Sequence, residues 1–178
     1  MPATLAFAKQ TGRTQAMLAA TSGLTLAYLV GAVGLAPSDK RFDAAWLARV
    51  DYWPSLALAG GTLYGCAWLY GGWAGAAIQR RPHRAWQVGA AYGVLTLLTT
   101  TLAGSGWNFA QEAVRYAPFP GTTGADFRQH LVYSLEDYVG KPLAWVMPFG
   151  SVVAGLLGAW YGRRVKRLLA TFGQATGA

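Results

Sequence analysis

Four stretches of about 20 residues, none containing Asp, Glu, Lys, Arg or His, decide what this chain can become. They cover 16–35, 54–78, 86–103 and 143–161. A bilayer core about 30 Å thick is crossed by roughly 20 apolar residues of helix. Four helices without a polar stripe would leave a soluble bundle no face for water. Composition agrees: 53% of the 178 residues are hydrophobic and 12% charged, against about 25% charged in soluble domains. The expected fold is therefore all-α, an integral membrane four-helix bundle occupying 1–178 as one domain. Pro54 and Pro142 suit the first turns of the second and fourth helices. Pro37, Gln79-Arg80-Arg81-Pro82, Gly104-Ser105-Gly106 and Gly162-Arg163-Arg164 are the expected stops.

Charge then assigns sides. With four crossings, the N-terminal segment, the loop between the second and third spans, and the C-terminal segment share one face. That face carries Lys9, Arg13, Arg80, Arg81, Arg84, Arg163, Arg164, Lys166 and Arg167 and no acid. All seven acids lie on the other face: Asp39, Asp43, Asp51, Glu112, Asp126, Glu136 and Asp137. Basic residues resist translocation, so both ends are expected on the cytoplasmic or matrix side. The net charge of +8 is thus topological, and nucleic acid is not an expected partner. Trp46, Trp53, Trp107, Tyr138 and Trp145 at the acidic interface, with Trp73, Trp86, Trp160 and Tyr161 at the basic one, form the two aromatic belts that headgroup regions favour.

Two connecting segments are expected to be short interfacial amphipathic helices, at about 39–51 and 126–139. The first repeats Phe42, Trp46, Leu47 and Val50 at helical spacing, and the second Phe127, Leu131, Leu135 and Tyr138. Each fits either a lipid surface or a partner's extramembrane surface. Met1–Gln15, with two bases and no acid, is faintly amphipathic and resembles a targeting segment only loosely.

Small residues recur every fourth position in all four spans: Gly23, Ala27 and Gly31; Gly61 with Gly65 and Gly71 with Gly75; Gly89 with Gly93; Ala154, Gly158 and Gly162. Helices in lipid associate by the close backbone approach that such stripes permit. The stripes serve either the bundle itself or its association with other membrane subunits. The run Gly60-Gly61-Thr62-Leu63-Tyr64-Gly65, then Gly71-Gly72-Trp73-Ala74-Gly75, the basic loop Arg80-Arg81-Pro82-His83-Arg84, Trp86, and Gly89 with Gly93 resembles the mitochondrial inner-membrane import-translocase superfamily. That group includes a four-span accessory subunit of respiratory complex I. The resemblance covers about a quarter of the chain. It implies a structural or import-channel role in mitochondria. The link 104–141 is longer than that group's, and the side expected for the termini is opposite.

No pattern points to chemistry. His83 and His130 are placed on opposite faces, each expected to be a solvated histidine. A single cysteine, Cys66, excludes an internal disulfide and Cys-based metal sites. Glu136 and Asp137 are adjacent, and neighbours on a helix point apart. No ionisable residue lies within a span, where ion pathways usually place one. Pro148 is expected to bend the fourth helix. No catalytic, cofactor or metal site is expected.

The expectation is a non-catalytic accessory or scaffold subunit of a larger membrane complex. Its preferred setting is a respiratory-chain complex of the mitochondrial inner membrane, with a bacterial plasma membrane as the alternative location. A small homo-oligomeric transporter or translocation channel is the alternative function. Helix packing falls to Gly23, Gly31, Gly61, Gly65, Gly71, Gly75, Gly89, Gly93, Gly158 and Gly162. Among these, Gly61, Gly65, Gly71, Gly75, Gly89 and Gly93 are expected to meet other subunits. Anionic lipid head groups, cardiolipin included, are expected on Arg80, Arg81, Arg84, Arg163, Arg164, Lys166 and Arg167.

Overall fold

The computed structural model describes residues 4–34, 53–116 and 124–175, without the side chains of 27–34, 53–56, 125 and 173–175. The expected helix at 39–51 lies outside these residues. The described residues form α1 (Leu5–Gly34), α2 (Trp53–Arg80), α3 (Ala85–Tyr116), α4 (Gly124–Leu135) and α5 (Lys141–Ala175), with no strand among them. A 3₁₀ turn, Pro82–Arg84, joins α2 to α3, and a π turn, Glu136–Gly140, joins α4 to α5. Two helices, Pro82–Tyr116 and Asp126–Phe172, are long and apolar enough to cross a membrane. Only 11% and 6% of their most apolar windows are buried inside the protein, whereas the core helix of a soluble bundle is mostly buried.

The helices outrun the apolar stretches that announce them. α1 starts at Leu5, where the Thr4 hydroxyl accepts a bond from the Phe7 N–H at 3.3 Å, the geometry of an N-cap. The segment before Gln15 is thus the opening of α1. α3 continues through Gly104-Ser105-Gly106, where Ser105 is buried. Two glycines cost a helix interior only about 1 kcal/mol each, too little to end one held by neighbours. α5 passes Gly162-Arg163-Arg164 because Val165, one turn on, is fully buried and Leu169 packs on the same core.

The segment around 126–139 is helical but does not form a separate helix lying along an interface. It runs through the π turn into α5, and Pro142 sits inside this run. The Lys141 N–H donates to the Glu136 carbonyl, five residues back. That wider turn accommodates Pro142, which has no N–H to continue an ordinary ladder. Lys141 also pairs with Asp137 across the turn. α4 packs against the far end of α3, where the His130 ring stacks on Tyr116 with centroids 3.6 Å apart. Pro148 lies within α5, which continues as helix on both sides of it.

α1 packs chiefly on α2, and α3 chiefly on α5. These pairs repeat one pattern. Ala8, Gly12 and Ala16 of α1 correspond at constant offset to Ala85, Gly89 and Gly93 of α3. Ala67, Gly71 and Gly75 of α2 correspond likewise to Ala154, Gly158 and Gly162 of α5. Both second helices carry Gly-x-Trp-x-Gly, at Gly71–Gly75 and Gly158–Gly162. The two largest fully buried side chains, Ile78 and Val165, are equivalent under this relation, as are Ala74 and Tyr161. The chain is a tandem pair of hairpins, both entered from the basic end. Such parallel repeats are related by an axis along the bundle.

The core lies at that end, where Ala74, Ile78, Ala85, Tyr161 and Val165 meet, flanked by Ala16, Ala19, Val88, Tyr92 and Leu169. Tyr161, expected in the basic aromatic belt, is instead 4% exposed. Its hydroxyl donates to the Gly71 carbonyl at 3.1 Å, joining one hairpin to the other. Trp73, Trp86 and Trp160 remain about half exposed near this end. Ile78→Ala should cost roughly 2–5 kcal/mol, lowering the thermal unfolding midpoint in detergent, while Leu156→Ala on the exposed face should leave it nearly unchanged.

Candidate functional site

The chain's chemistry is that of surfaces: two seams of backbone contact, a cleft between them, and a cap of positive charge. In the first seam, a Cβ on Gly12 would collide with the Gly71 carbonyl oxygen and lie 2.9 Å from the Gly75 Cα. One on Gly75 would collide with the Ala8 carbonyl oxygen, and one on Gly71 would lie 2.9 Å from the Gly12 oxygen. The second seam repeats the arrangement. Gly89 and Gly158 each block the other's Cβ position through a carbonyl oxygen. Ala85 blocks Gly162, and Ala154 blocks Gly93, in the same way. Backbones meet because nothing protrudes between them, which is how helices associate where hydrocarbon surrounds them.

Gly71, Gly75, Gly89, Gly93, Gly158 and Gly162 therefore pack within the chain. The expectation that Gly71, Gly75, Gly89 and Gly93 meet other subunits is corrected on this geometry, since their neighbours are already in place. Gly23 meets only the Leu157 side chain, 3.2 Å from its Cβ position. Gly31 lies in α1 beyond the described side chains. Gly61 and Gly65 behave differently: a Cβ on either would meet nothing within 4 Å. They are exposed on α2 beside Leu58, Trp68 and Leu69, which are also exposed.

Sequence reasoning missed the α1 half of the first seam. Ala8 and Gly12 precede the apolar stretch and neighbour Lys9 and Arg13, so they were not placed on a packing face. The signal was present in the match between their spacing and that of Ala85 and Gly89. Gly72 has its own role, because its missing side chain leaves room for Arg13, whose Nε lies 3.1 Å from the Cβ position. The Arg13 guanidinium rests over the Trp68 ring, 3.7 Å from its centroid. This cation–π contact lets a charged side chain run along the helix pair.

The expected head-group residues Arg80, Arg81, Arg84, Arg163, Arg164, Lys166 and Arg167 are all exposed. Contact of Ile78 and Ala85 with Val165 brings their two groups to one end of the bundle. Arg164 lies 5.3 Å from the Trp160 ring centroid. At the opposite end, His130 is not simply solvated. Its Nε2 lies 3.3 Å from the hydroxyl of buried Ser134 and 3.6 Å from Glu112 Oε1. Both partners face the same ring nitrogen. A serine–histidine–acid relay needs the acid on the other nitrogen, so this cluster ties α4 to α3 without activating Ser134.

Between the hairpins lies a cleft of about 720 Å³ with contributions from α1, α2, α3 and α5. Its floor is formed by Ala74, Gly89, Tyr92, Gly158 and Tyr161, at the core. Away from the core it is lined by Leu24, Leu63, Leu97, Val146, Phe149 and Val153. Hydroxyls in its wall are already engaged: Thr96 and Thr100 donate to the Tyr92 and Thr96 carbonyls, both at 2.8 Å. The Tyr70 hydroxyl bonds Thr99 at 3.1 Å.

No protein-family model, curated protein or solved structure matches this chain. The seams make a prediction of opposite signs. Gly89→Ala should lower the thermal midpoint in detergent, because its Cβ meets backbone that cannot yield. Gly61→Ala should leave the midpoint unchanged or raise it, with a helix-propensity gain of up to about 1 kcal/mol.

Proposed function

We propose that this chain is a non-catalytic accessory or scaffold subunit that docks laterally onto other proteins of a membrane complex. The observation that carries this reading is the unequal use of its glycines. Those of the two seams are closed by neighbouring backbone within the chain, whereas Gly61 and Gly65 leave a smooth exposed strip on α2. A helix of another subunit can approach such a strip closely, with Leu58, Trp68 and Leu69 flanking the contact. The basic cap at Arg80–Arg84 and Arg163–Arg167 supports anchoring to anionic lipid head groups, cardiolipin included, at about 1 kcal/mol per basic residue near the surface.

In the finer form of this proposal all four long helices cross the membrane, and both ends face the side that retains the basic residues. The assembly is then a respiratory-chain complex of the mitochondrial inner membrane. Support for that setting is the likeness of the glycine-rich second and third helices, and their short basic loop, to the import-translocase superfamily. A homo-oligomeric transporter or translocation channel is the second reading, favoured by the position of the cleft at the repeat interface. The internally engaged hydroxyls around the cleft argue against a polar solute path.

Gly61→Leu with Gly65→Leu should release the chain from its complex on native gels while the isolated protein keeps its thermal midpoint. Unchanged co-migration would remove the docking face. Replacing Arg80, Arg81 and Arg84 with Gln should weaken retention by vesicles containing anionic lipid, and added salt should shrink the difference. Equal retention at low salt would count against the head-group role.

A further inference from the structure

We propose that the cleft between the two hairpins is a binding site for one acyl chain of a bilayer phospholipid, held with its methyl end at the core. Three observations select this occupant. First, the wall presents hydrocarbon, and the hydroxyls of Tyr70, Thr96, Thr100 and Tyr161 are engaged within the protein. A ligand that placed polar groups here would leave them without those partners.

Second, the side chains bordering the cleft away from its floor are exposed: Leu24 by 51%, Leu26 by 44%, Phe149 by 72% and Val153 by 42%. A chain entering from the surrounding lipid meets apolar side chains that can adjust around it. The opposite wall is tighter, with Tyr70 and Tyr92 ring centroids 6.3 Å apart. The cleft is thus closed at the core and along α2–α3, and accessible between α1 and α5.

Third, a protein helix fits poorly. A helix about 10 Å wide fills roughly 420 Å³ per turn, so a cleft of about 720 Å³ holds fewer than two turns. Helices in lipid dock on open small residues, and the cleft glycines Gly71, Gly89, Gly93 and Gly158 are closed by the seams. The open pair, Gly61 and Gly65, does not line the cleft. A thin flexible chain needs neither the volume nor the glycines.

The test uses the full chain in dioleoyl phosphatidylcholine vesicles doped with a photoactivatable phosphatidylcholine, followed by peptide mapping of the adducts. A diazirine near the acyl terminus should label Tyr92, Leu97 and Leu157. One near the glycerol should shift labelling to Leu26, Val146 and Phe149. This gradient is read on the unmodified sequence. In Ala20→Phe with Thr100→Phe, which fills the cleft from both walls, labelling of Leu97 and Leu157 should fall about tenfold, while Val152 and Leu156 on the exposed face label as before. Cleft residues that stay unlabelled while Val152 and Leu156 label freely overturn the proposal and leave the cleft to a protein segment. A gradient running the other way, or cleft labelling unmoved by the two phenylalanines, overturns it as well.

Discussion

Where hydrocarbon replaces water, bringing two apolar helix faces together removes no surface from water, and association falls to contact between atoms at short range. The structure meets that condition with backbone. Gly12 against Gly71 and Gly75, and Gly89 against Gly158 and Gly162, bring main chains together where any side chain would intervene. The positions of the remaining groups follow from these two seams. They fix the hairpins, set Ile78 and Val165 in the core, and let the chain extend its helices beyond the stretches needed to cross a bilayer.

Repetition explains how so small a chain holds four long helices together. Each hairpin closes its own seam, and the two then meet around Ala74, Tyr161, Ile78 and Val165. The meeting is not symmetric in detail. Tyr161 occupies the place that Ala74 holds in the other hairpin and reaches across to the Gly71 carbonyl. Contact between hairpins is concentrated at the basic end, and away from it the helices leave the cleft between them. Tight packing within each hairpin and looser packing between them is the architecture on which the functional and lipid proposals both rest.

Much of this was legible in the sequence, and the remainder was hidden for identifiable reasons. Apolar length marked the helical segments, and four-residue spacing marked Gly71, Gly75, Gly89, Gly93, Gly158 and Gly162 as packing positions. Spacing alone does not say whether the partner is internal, and that question was settled only by the register of the helices. Lys9 and Arg13 masked the packing face of α1, since a charged residue on one side of a helix says little about the other. Gly162 looked like a stop because it precedes two arginines, yet the burial of Val165 one turn later outweighs the modest helix cost of glycine. Pro142 looked like a beginning because a proline suits a first turn. It sits inside a helical run because a five-residue turn removes the need for its missing N–H. His130 looked solvated because its neighbours, Glu112 and Tyr116, come from a different helix.

The seams can be observed directly by carbon-13 correlation spectroscopy on the solid protein in bilayers, with glycine as the labelled residue. Contacts between distant glycines should then join Gly12 to Gly71 and Gly75, and Gly89 to Gly158 and Gly162, while Gly61 and Gly65 show none beyond their own helix. A spectrum containing only contacts between glycines near in sequence, such as Gly60 with Gly61 and Gly71 with Gly72, would contradict the account at its base.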